Sequence, residues 1–219
     1  MVPPDERRAL VALYNATDGA TWSNNSHWLS GDPCTDAWHG VVCQSVDGTM
    51  HVTDLVLESA SVAGTLPTEL GLLGDEFNGL KVDGNAISGH IPTQMGALPK
   101  ITLAWFMTNS LSGTIPPEIS RPQLMSYPCF DSNSLSGTLP SAWYAADSVY
   151  VYSARYNHLS GTIPEWMGAL TGNINLVLDG NSMSGTLPTI LGRQSQLTWL
   201  SLHDNHFSGT LPTELGVLT

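Results

Sequence analysis

Three aspartates recur 48 residues apart and are the first candidates for a chemical role: Asp83, Asp131 and Asp179. In the repeat described below, 48 residues correspond to two strand spacings, or about 10 Å. That separation slightly exceeds the one used by inverting glycosidases, and the carboxylates would lie on an open sheet without a cleft. We therefore expect no glycosidase chemistry from them.

A second candidate is the segment with His203, Asp204 and His206, because imidazole and carboxylate groups are common metal ligands. Asn205 lies between the histidines and belongs to a structural position, so the two rings are expected on different sides of a bend. Cys129 is expected to be a free thiol, with an intermolecular disulfide as the alternative. Because no base is paired with it, no nucleophilic role is expected. The sequence predicts no metal, no cofactor and no enzymatic activity.

The composition limits the partners. The net charge is −12, with seven Lys and Arg against 19 Asp and Glu, so no basic face is available for nucleic acid. No apolar run approaches the roughly 18 residues of a membrane helix, and no direct membrane insertion is expected. The start, "MVPPDERRAL", is charged and is no secretory signal. If the protein is exported, we expect its signal to lie outside this chain.

The phrase SGT(L/I)P, or a close variant, returns seven times at intervals of 24 or 25 residues. A period of about 20–29 residues with Leu and Asn at fixed places is typical of a leucine-rich solenoid. Upstream of each phrase, apolar and polar residues alternate, as in Leu55 and Leu57, which predicts a strand with one buried face. The glycines of the phrase are Gly64, Gly89, Gly113, Gly137, Gly161, Gly185 and Gly209.

Asparagine stands four residues before the glycine in six copies, while Ala60 takes this place in the first. A short amide can bond backbone groups of its own turn and of the next one, so stacked copies are expected to form a ladder. Such a ladder satisfies backbone groups that would otherwise be buried without partners. The ladder residues are Asn85, Asn109, Asn133, Asn157, Asn181 and Asn205.

The outward side chains of the predicted sheet form an acidic face with exposed aromatic residues, and such aromatics are favoured anchors at interfaces. An ordinary solvated sheet also needs polar residues, so a bare scaffold is the alternative. The candidate binding residues are Lys81, Asp83, Trp105, Met107, Tyr127, Asp131, Tyr150, Arg155, Tyr156, Asp179, Trp199 and His203.

Residues 1–50 are predicted to cap the solenoid. A short amphipathic helix is expected over residues 4–16, followed by a tryptophan-rich segment containing Cys34 and Cys43. The neighbouring cysteines indicate one disulfide and an oxidising compartment, although two reduced thiols remain an alternative. Residues 51–219 hold about seven repeats. No closing cap follows, so we expect a truncated chain or an end covered by a partner or by further repeats.

"DERRALVALYNATDGATWSNNSHWLSGDPC" with "WHGVVC", and repeats of the form LxLxxNxLSGxIPxxLGxL, resemble plant-type leucine-rich-repeat proteins. This resemblance covers nearly the whole chain, although the two cap cysteines are slightly further apart than usual. It implies an α/β repeat solenoid: a right-handed superhelix with a parallel concave β-sheet, a convex side of 3-10 turns and loops, and a helical N-terminal cap. The family includes receptor-kinase ectodomains and polygalacturonase-inhibiting proteins.

The resemblance implies a non-enzymatic extracellular or cell-surface module that binds a protein, peptide or glycan on its concave face. One alternative is a secreted inhibitor of a wall-degrading glycosidase. Another is an ice-binding or structural wall protein, because Thr follows the repeat glycine in six copies and His90 follows it in the second copy. Sequons at Asn15 and Asn24 predict glycosylation in the cap if the protein is secreted.

Overall fold

The computed structural model describes residues 1–120, 126–141, 150–169, 174–194 and 196–217. The helix α1 spans Pro4–Ala16. The strands, in chain order, are β1 Val41–Val46, β2 Thr49–Val56, β3 Ala63–Thr65, β4 Gly79–Lys81, β5 Ala86–Gly89, β6 Leu103–Trp105, β7 Ser110–Thr114, β8 Tyr127–Cys129, β9 Ser134–Gly137, β10 Val151–Ser153, β11 His158–Gly161, β12 Ile174–Val177, β13 Ser182–Gly185, β14 Leu197–Ser201 and β15 His206–Phe207.

The strands form two sheets that run along the stack of repeats. The main sheet has the order β1-β2-β4-β6-β8-β10-β12-β14, and the side sheet has the order β15-β13-β11-β9-β7-β5-β3. Pairing is parallel throughout, except that β1 and β2 form an antiparallel hairpin. Each repeat thus contributes one strand to each sheet, which confirms the predicted leucine-rich-repeat solenoid. We call the outward side of the main sheet the concave face.

The main-sheet strands bury every second side chain, as the alternation predicts. Leu55, Leu57, Leu80 and Val82 are at most 1% exposed. In the middle repeats the rings of Phe106 and Phe130 stack inside at 5.8 Å. The branched residue before each repeat proline is buried from Leu66 through Ile163. Leu211, which occupies the same position in the last repeat, is 75% exposed.

The asparagines form a column between the two sheets. Asn157 donates to the carbonyls of Phe130 and Ala154 at 3.0 and 3.2 Å, and its Oδ1 accepts the Leu135 N–H at 2.9 Å. The other five repeat the pattern, each reaching one repeat back. The predicted ladder is therefore present, and one side chain satisfies backbone groups of two turns.

The opposite side of each turn is a short 3-10 segment that starts at or after the repeat proline, as the resemblance implies. These segments are Thr68–Leu72, Thr93–Ala97, Pro117–Ser120, Glu165–Ala169, Thr189–Arg193 and Thr213–Val217; a further one, Gly19–Thr21, lies in the cap. Pro128, which has no N–H to donate to a neighbouring strand, lies inside β8. The pairing of β8 with β10 is reduced to one residue pair, Ser153 with Cys129.

The cap closes the first end with helix and tryptophans. Leu10 and Leu13 of α1 are fully buried, and Trp22, Trp28 and Trp38 are at most 7% exposed. Each indole N–H donates to a backbone carbonyl of the cap, so the buried rings leave no polar atom unsatisfied. The predicted Cys34–Cys43 disulfide is present. The strand β2 begins in the cap and continues into the first repeat.

Candidate functional site

The register of the main sheet arranges the outward residues of the concave face in columns. One column runs Lys81, Trp105, Cys129, Ser153, Val177 and Ser201, each paired with the next across neighbouring strands. Two residues further along each turn lies the second column: Glu58, Asp83, Met107, Asp131, Arg155, Asp179 and His203. The candidate residues predicted from sequence therefore lie on one continuous face.

Four aromatic side chains on this face are open to solvent. Tyr127, Tyr150, Tyr156 and Trp199 are 39%, 44%, 51% and 62% exposed. Tyr127 and Tyr150 stack on each other at 5.7 Å. Trp105 is half-buried, with the Lys81 ammonium 4.7 Å from its ring centroid. Large exposed rings are costly to solvate and are typical anchors of an interface.

Tyr156 occupies an unusual backbone position. Its φ is +54°, in the left-handed region that costs a residue with a Cβ about 1–2 kcal/mol. The ring lies against Gly180 of the next repeat, where any Cβ would overlap with it, and the Arg155 guanidinium is 5.7 Å from the ring centroid. Because Gly180 has no side chain, the Tyr156 ring packs directly against its backbone on the concave face.

Asp131 lies on the concave face but its side chain does not reach the surface, since the residue is 8% exposed. It accepts the Ser153 hydroxyl at 2.6 Å, the Arg155 backbone N–H at 3.1 Å and the Arg155 Nε at 3.1 Å. Burial raises the pKa of this carboxyl, and the bonds from Ser153 and Arg155 oppose that rise. Its expected role as an outward contact is therefore corrected: Asp131 orients Arg155, which is exposed.

Asp179 occupies the equivalent place two repeats later and is also buried, but its contact is weaker. It is 2% exposed, with one carboxylate oxygen 3.7 Å from the Nε2 atom of the exposed His203. The sequence pattern marked both aspartates as outward, but bulky neighbours in the next repeat cover them. The accessible groups at these places are Arg155 and His203.

Asp83 is the third member of the series, and its surroundings differ. The residues that satisfy Asp131 are Ser153 and Arg155, whereas the same positions beside Asp83 hold Trp105 and Met107. Met107 has no donor, and the described structure shows no hydrogen bond from the Trp105 indole to Asp83. Asp83 is half-buried, and its buried Oδ1 has no hydrogen-bond partner among the described residues.

The thiol of Cys129 is half-buried between these columns, and it is free, as predicted. Burial raises its pKa to about 12, with further contributions from the charges of Asp131 and Asp83. Thiolate is the reactive form, so this cysteine is protonated at neutral pH and a poor nucleophile.

The described residues contain no cluster of three or more His, Cys, Asp or Glu side chains arranged to hold a metal ion. His203 lies 3.8 Å from Asp204 and 3.2 Å from the Ser201 hydroxyl. Within the same described ranges, no helix has the length and apolar character needed to cross a bilayer.

In the cap, Asn15 and Asn24 are both exposed. Asn24 accepts the backbone N–H and the hydroxyl of Ser26, the third residue of its sequon. Thr17, in the other sequon, is buried and donates to the Leu13 carbonyl at 2.6 Å. Glycosylation at both sites stays a prediction.

The sequence analysis did not identify the role of Glu6. Its acidic character fits the first turn of a helix, but Glu6 is 2% exposed and accepts the Val52 N–H at 2.8 Å. Its other oxygen lies 2.7 Å from the His51 Nδ1. It therefore joins the cap helix to the first repeat, a contact over 45 residues that no local pattern reveals.

Comparison with known proteins supports the solenoid. Residues 196–218 match the Leucine Rich Repeat family model. Over 53 residues, 23% of the chain, the sequence is 40% identical to a putative leucine-rich repeat receptor-like serine/threonine-protein kinase of Arabidopsis thaliana. The chain spans only 6% of the length of that kinase.

Among solved structures, the PEPR1–AtPEP1 complex superposes with a TM-score of 0.89 at 28% identity, covering 99% of this chain and 30% of that one. The plant peptide hormone receptor RGFR1 in complex with RGF2 gives 0.69 at 29% identity, over 72% of this chain and 25% of that one. A plant ice-binding protein gives 0.76 at 20% identity, covering 99% and 84%, and shares the fold.

Proposed function

We propose that this leucine-rich-repeat solenoid is an extracellular recognition module that binds a protein or peptide on its concave face. Its activity is binding, without catalysis by the chain itself. The observation that carries this proposal is the concave face, where Tyr156, Trp199 and the Asp131-oriented Arg155 stand exposed on a rigid sheet. Rigid aromatics and a pre-oriented guanidinium lose little entropy on binding and are the residues enriched at binding hot spots.

The relatives add two lines of support. Two of the similar solved structures are PEPR1–AtPEP1 and the plant peptide hormone receptor RGFR1 in complex with RGF2. The Cys34–Cys43 disulfide fits an oxidising compartment, and the acidic net charge of −12 fits a partner that is neutral or basic. A protein or peptide partner therefore fits the concave face better than a small metabolite, because the face is open.

Affinity capture tests this function. The chain is immobilised and exposed to the extracellular fraction of its source organism, beside a variant with Trp105→Ala, Tyr156→Ala and Trp199→Ala. A partner that wild type retains and the variant loses supports the proposal. A Thr68→Ala, Glu69→Ala variant on the 3-10 side serves as the matched control and should retain the partner. Equal capture by all three proteins contradicts concave-face binding, and capture of a wall-degrading glycosidase would favour an inhibitor.

One observation favours a second candidate, ice binding. The threonines after the repeat glycine are all exposed along the side sheet: Thr65, Thr114, Thr138, Thr162, Thr186 and Thr210. Their spacing is that of parallel strands, about 4.8 Å, and the exposed His90 interrupts the row. Thermal hysteresis of a solution of the chain, abolished by Thr138→Tyr, would establish this function. Its lack in wild type would exclude it.

A further inference from the structure

We infer that Asp83 is the point at which the concave face binds a cationic side chain, arginine or lysine, of an extended peptide that crosses the repeats. This inference rests on the proposed function and names the chemistry of its partner at one position. It comes from comparing three equivalent carboxylates in the same column.

In two of the three repeats a basic side chain lies against this carboxylate. Asp131 is paired by Arg155 at 3.1 Å and Asp179 lies 3.7 Å from His203, in both cases the residue one repeat further on. Asp83 has Met107 at that place. On its other side in the column stands Glu58, which is exposed and carries the same charge. The chain therefore places a basic side chain, Arg155 or His203, against two of the three aspartates and a methionine against the third.

The missing partner has an energetic consequence. The Oδ1 atom of Asp83 is buried and accepts no hydrogen bond from the described residues. A carboxylate withdrawn from water without a compensating partner is costly, and each unmade hydrogen bond to a charged group costs more than one to a neutral group. A guanidinium or ammonium group of a ligand can donate to this oxygen through the half-exposed side chain, which favours a cation at the site.

The neighbouring side chains suit the stem of such a residue. Trp105 and Met107 are half-buried beside Asp83 and offer apolar surface to the methylene groups of Arg or Lys. Lys81 is the nearest cation on the strand, two residues away, but its ammonium lies over the Trp105 ring at 4.7 Å. It forms no ion pair with Asp83 among the described residues, and in the bound state it would compete for the same carboxylate.

The negative charges of the concave face also favour a cationic ligand group. The pKa of the Cys129 thiol, two repeats from Asp83, is raised to about 12, chiefly by burial and then by the charges of Asp131 and Asp83. The charge of Asp83 is thus felt across the concave face, where Asp131 is already matched by Arg155. A basic group on the ligand meets a favourable potential, and an acidic group meets an unfavourable one.

A defined probe tests the site. A displayed library of random ten-residue peptides is selected on the wild-type chain and counter-selected on the Trp105→Ala, Tyr156→Ala, Trp199→Ala variant, so that only concave-face binders are kept. We expect those peptides to share an Arg or Lys at one position. Their affinity should fall at least tenfold for Asp83→Asn, and less than threefold for the matched control Asp54→Asn, which lies on β2 of the same sheet.

Two further variants keep the result interpretable. Lys81→Ala should increase the affinity of the same peptides several-fold, because it removes the competing cation. Asp83→Arg should abolish binding, and replacing the shared basic residue of the peptide by Glu should restore it. A restored pair cannot be explained by misfolding of the Asp83→Arg chain.

The outcomes separate the two proposals. Concave-face peptides without a shared basic residue, or with equal affinity for Asp83→Asn, overturn the Asp83 inference and leave the proposed function intact. If no peptide from the library depends on the concave face, both proposals fail.

Discussion

Asn157 and Tyr156 are neighbours in the chain, but the column to which Asn157 belongs is the same in six repeats, whereas the concave face around Tyr156 varies between repeats. The asparagine column has the same residue in six repeats, and each copy makes the same bonds to the turn before it. The concave face changes in every repeat, from Asp83 and Met107 to Arg155 and His203. The contrast indicates that the repeated asparagines stabilise the stack of repeats, while the variable side chains of the concave face are available for binding a partner.

The largest expected effect concerns the thiol of Cys129, which is half-buried on the concave face. Since its pKa is raised to about 12 from the ordinary 9.0, its thiolate fraction at pH 8 is about 1000-fold lower than in an unfolded chain. Alkylation by iodoacetamide at pH 8 should slow by a similar factor relative to the chain in urea. Mass spectrometry of the labelled peptide follows the rate, and comparable rates in both states would contradict this description.

The asparagine column should be sensitive to substitution. Asn157→Ala leaves buried backbone groups of two turns without partners, so we expect a loss of about 3 kcal/mol in the free energy of unfolding. Asn205→Ala is the matched control, because Asn205 is half-buried at the last repeat, and about 1 kcal/mol is expected there. Urea unfolding followed by circular dichroism measures both; equal small losses would refute a structural column.

The cap disulfide should contribute somewhat less. Replacing Cys34 and Cys43 together by Ser releases a short loop and should cost about 2.5 kcal/mol by the chain-entropy estimate. Cys129→Ser is the control and should change stability little, since no disulfide involves it. The urea midpoint of each variant measures the effect. An unchanged midpoint for the double variant would show that the disulfide does not stabilise the fold.

The concave aromatics should matter least for stability. Trp199 is 62% exposed, so Trp199→Ala should change the free energy of unfolding by less than about 0.5 kcal/mol. Differential scanning calorimetry on the chain tests this. A melting temperature lower by many degrees would show that the indole contributes to the core. The concave face would then stabilise the fold as the asparagine column does.

Much of the fold could be predicted because its signal is local and repeated. The spacing of the glycines, the alternation at Leu55 and Leu57 and the asparagine position each have a direct physical meaning, and the helix predicted over residues 4–16 runs over Pro4–Ala16. The second parallel sheet is not among the features predicted from the sequence. The buried Glu6 was missed, because its partners His51 and Val52 lie far away in sequence.

The position of the concave face could be predicted from the sequence, but the burial of its individual side chains could not. Period-two alternation assigns Asp131 and Asp179 to the outward side, which is correct for the backbone. It cannot show that the next repeat covers them, because this depends on the size and charge of Arg155 and His203 across the strand. The unpaired Asp83 and the paired Asp131 become distinguishable only when the residues beside them in the neighbouring repeat are known.

The central claim is that the concave face binds while the inner column only supports it. Its most direct test is the dissociation constant of the affinity-captured partner for wild type and for the Trp105→Ala, Tyr156→Ala, Trp199→Ala variant, with both melting temperatures. We predict binding at least about 100-fold weaker, as hot-spot residues would give, and a melting temperature within about 4 °C of wild type. Unchanged affinity, or weaker binding only together with a collapsed melting temperature, would contradict the account.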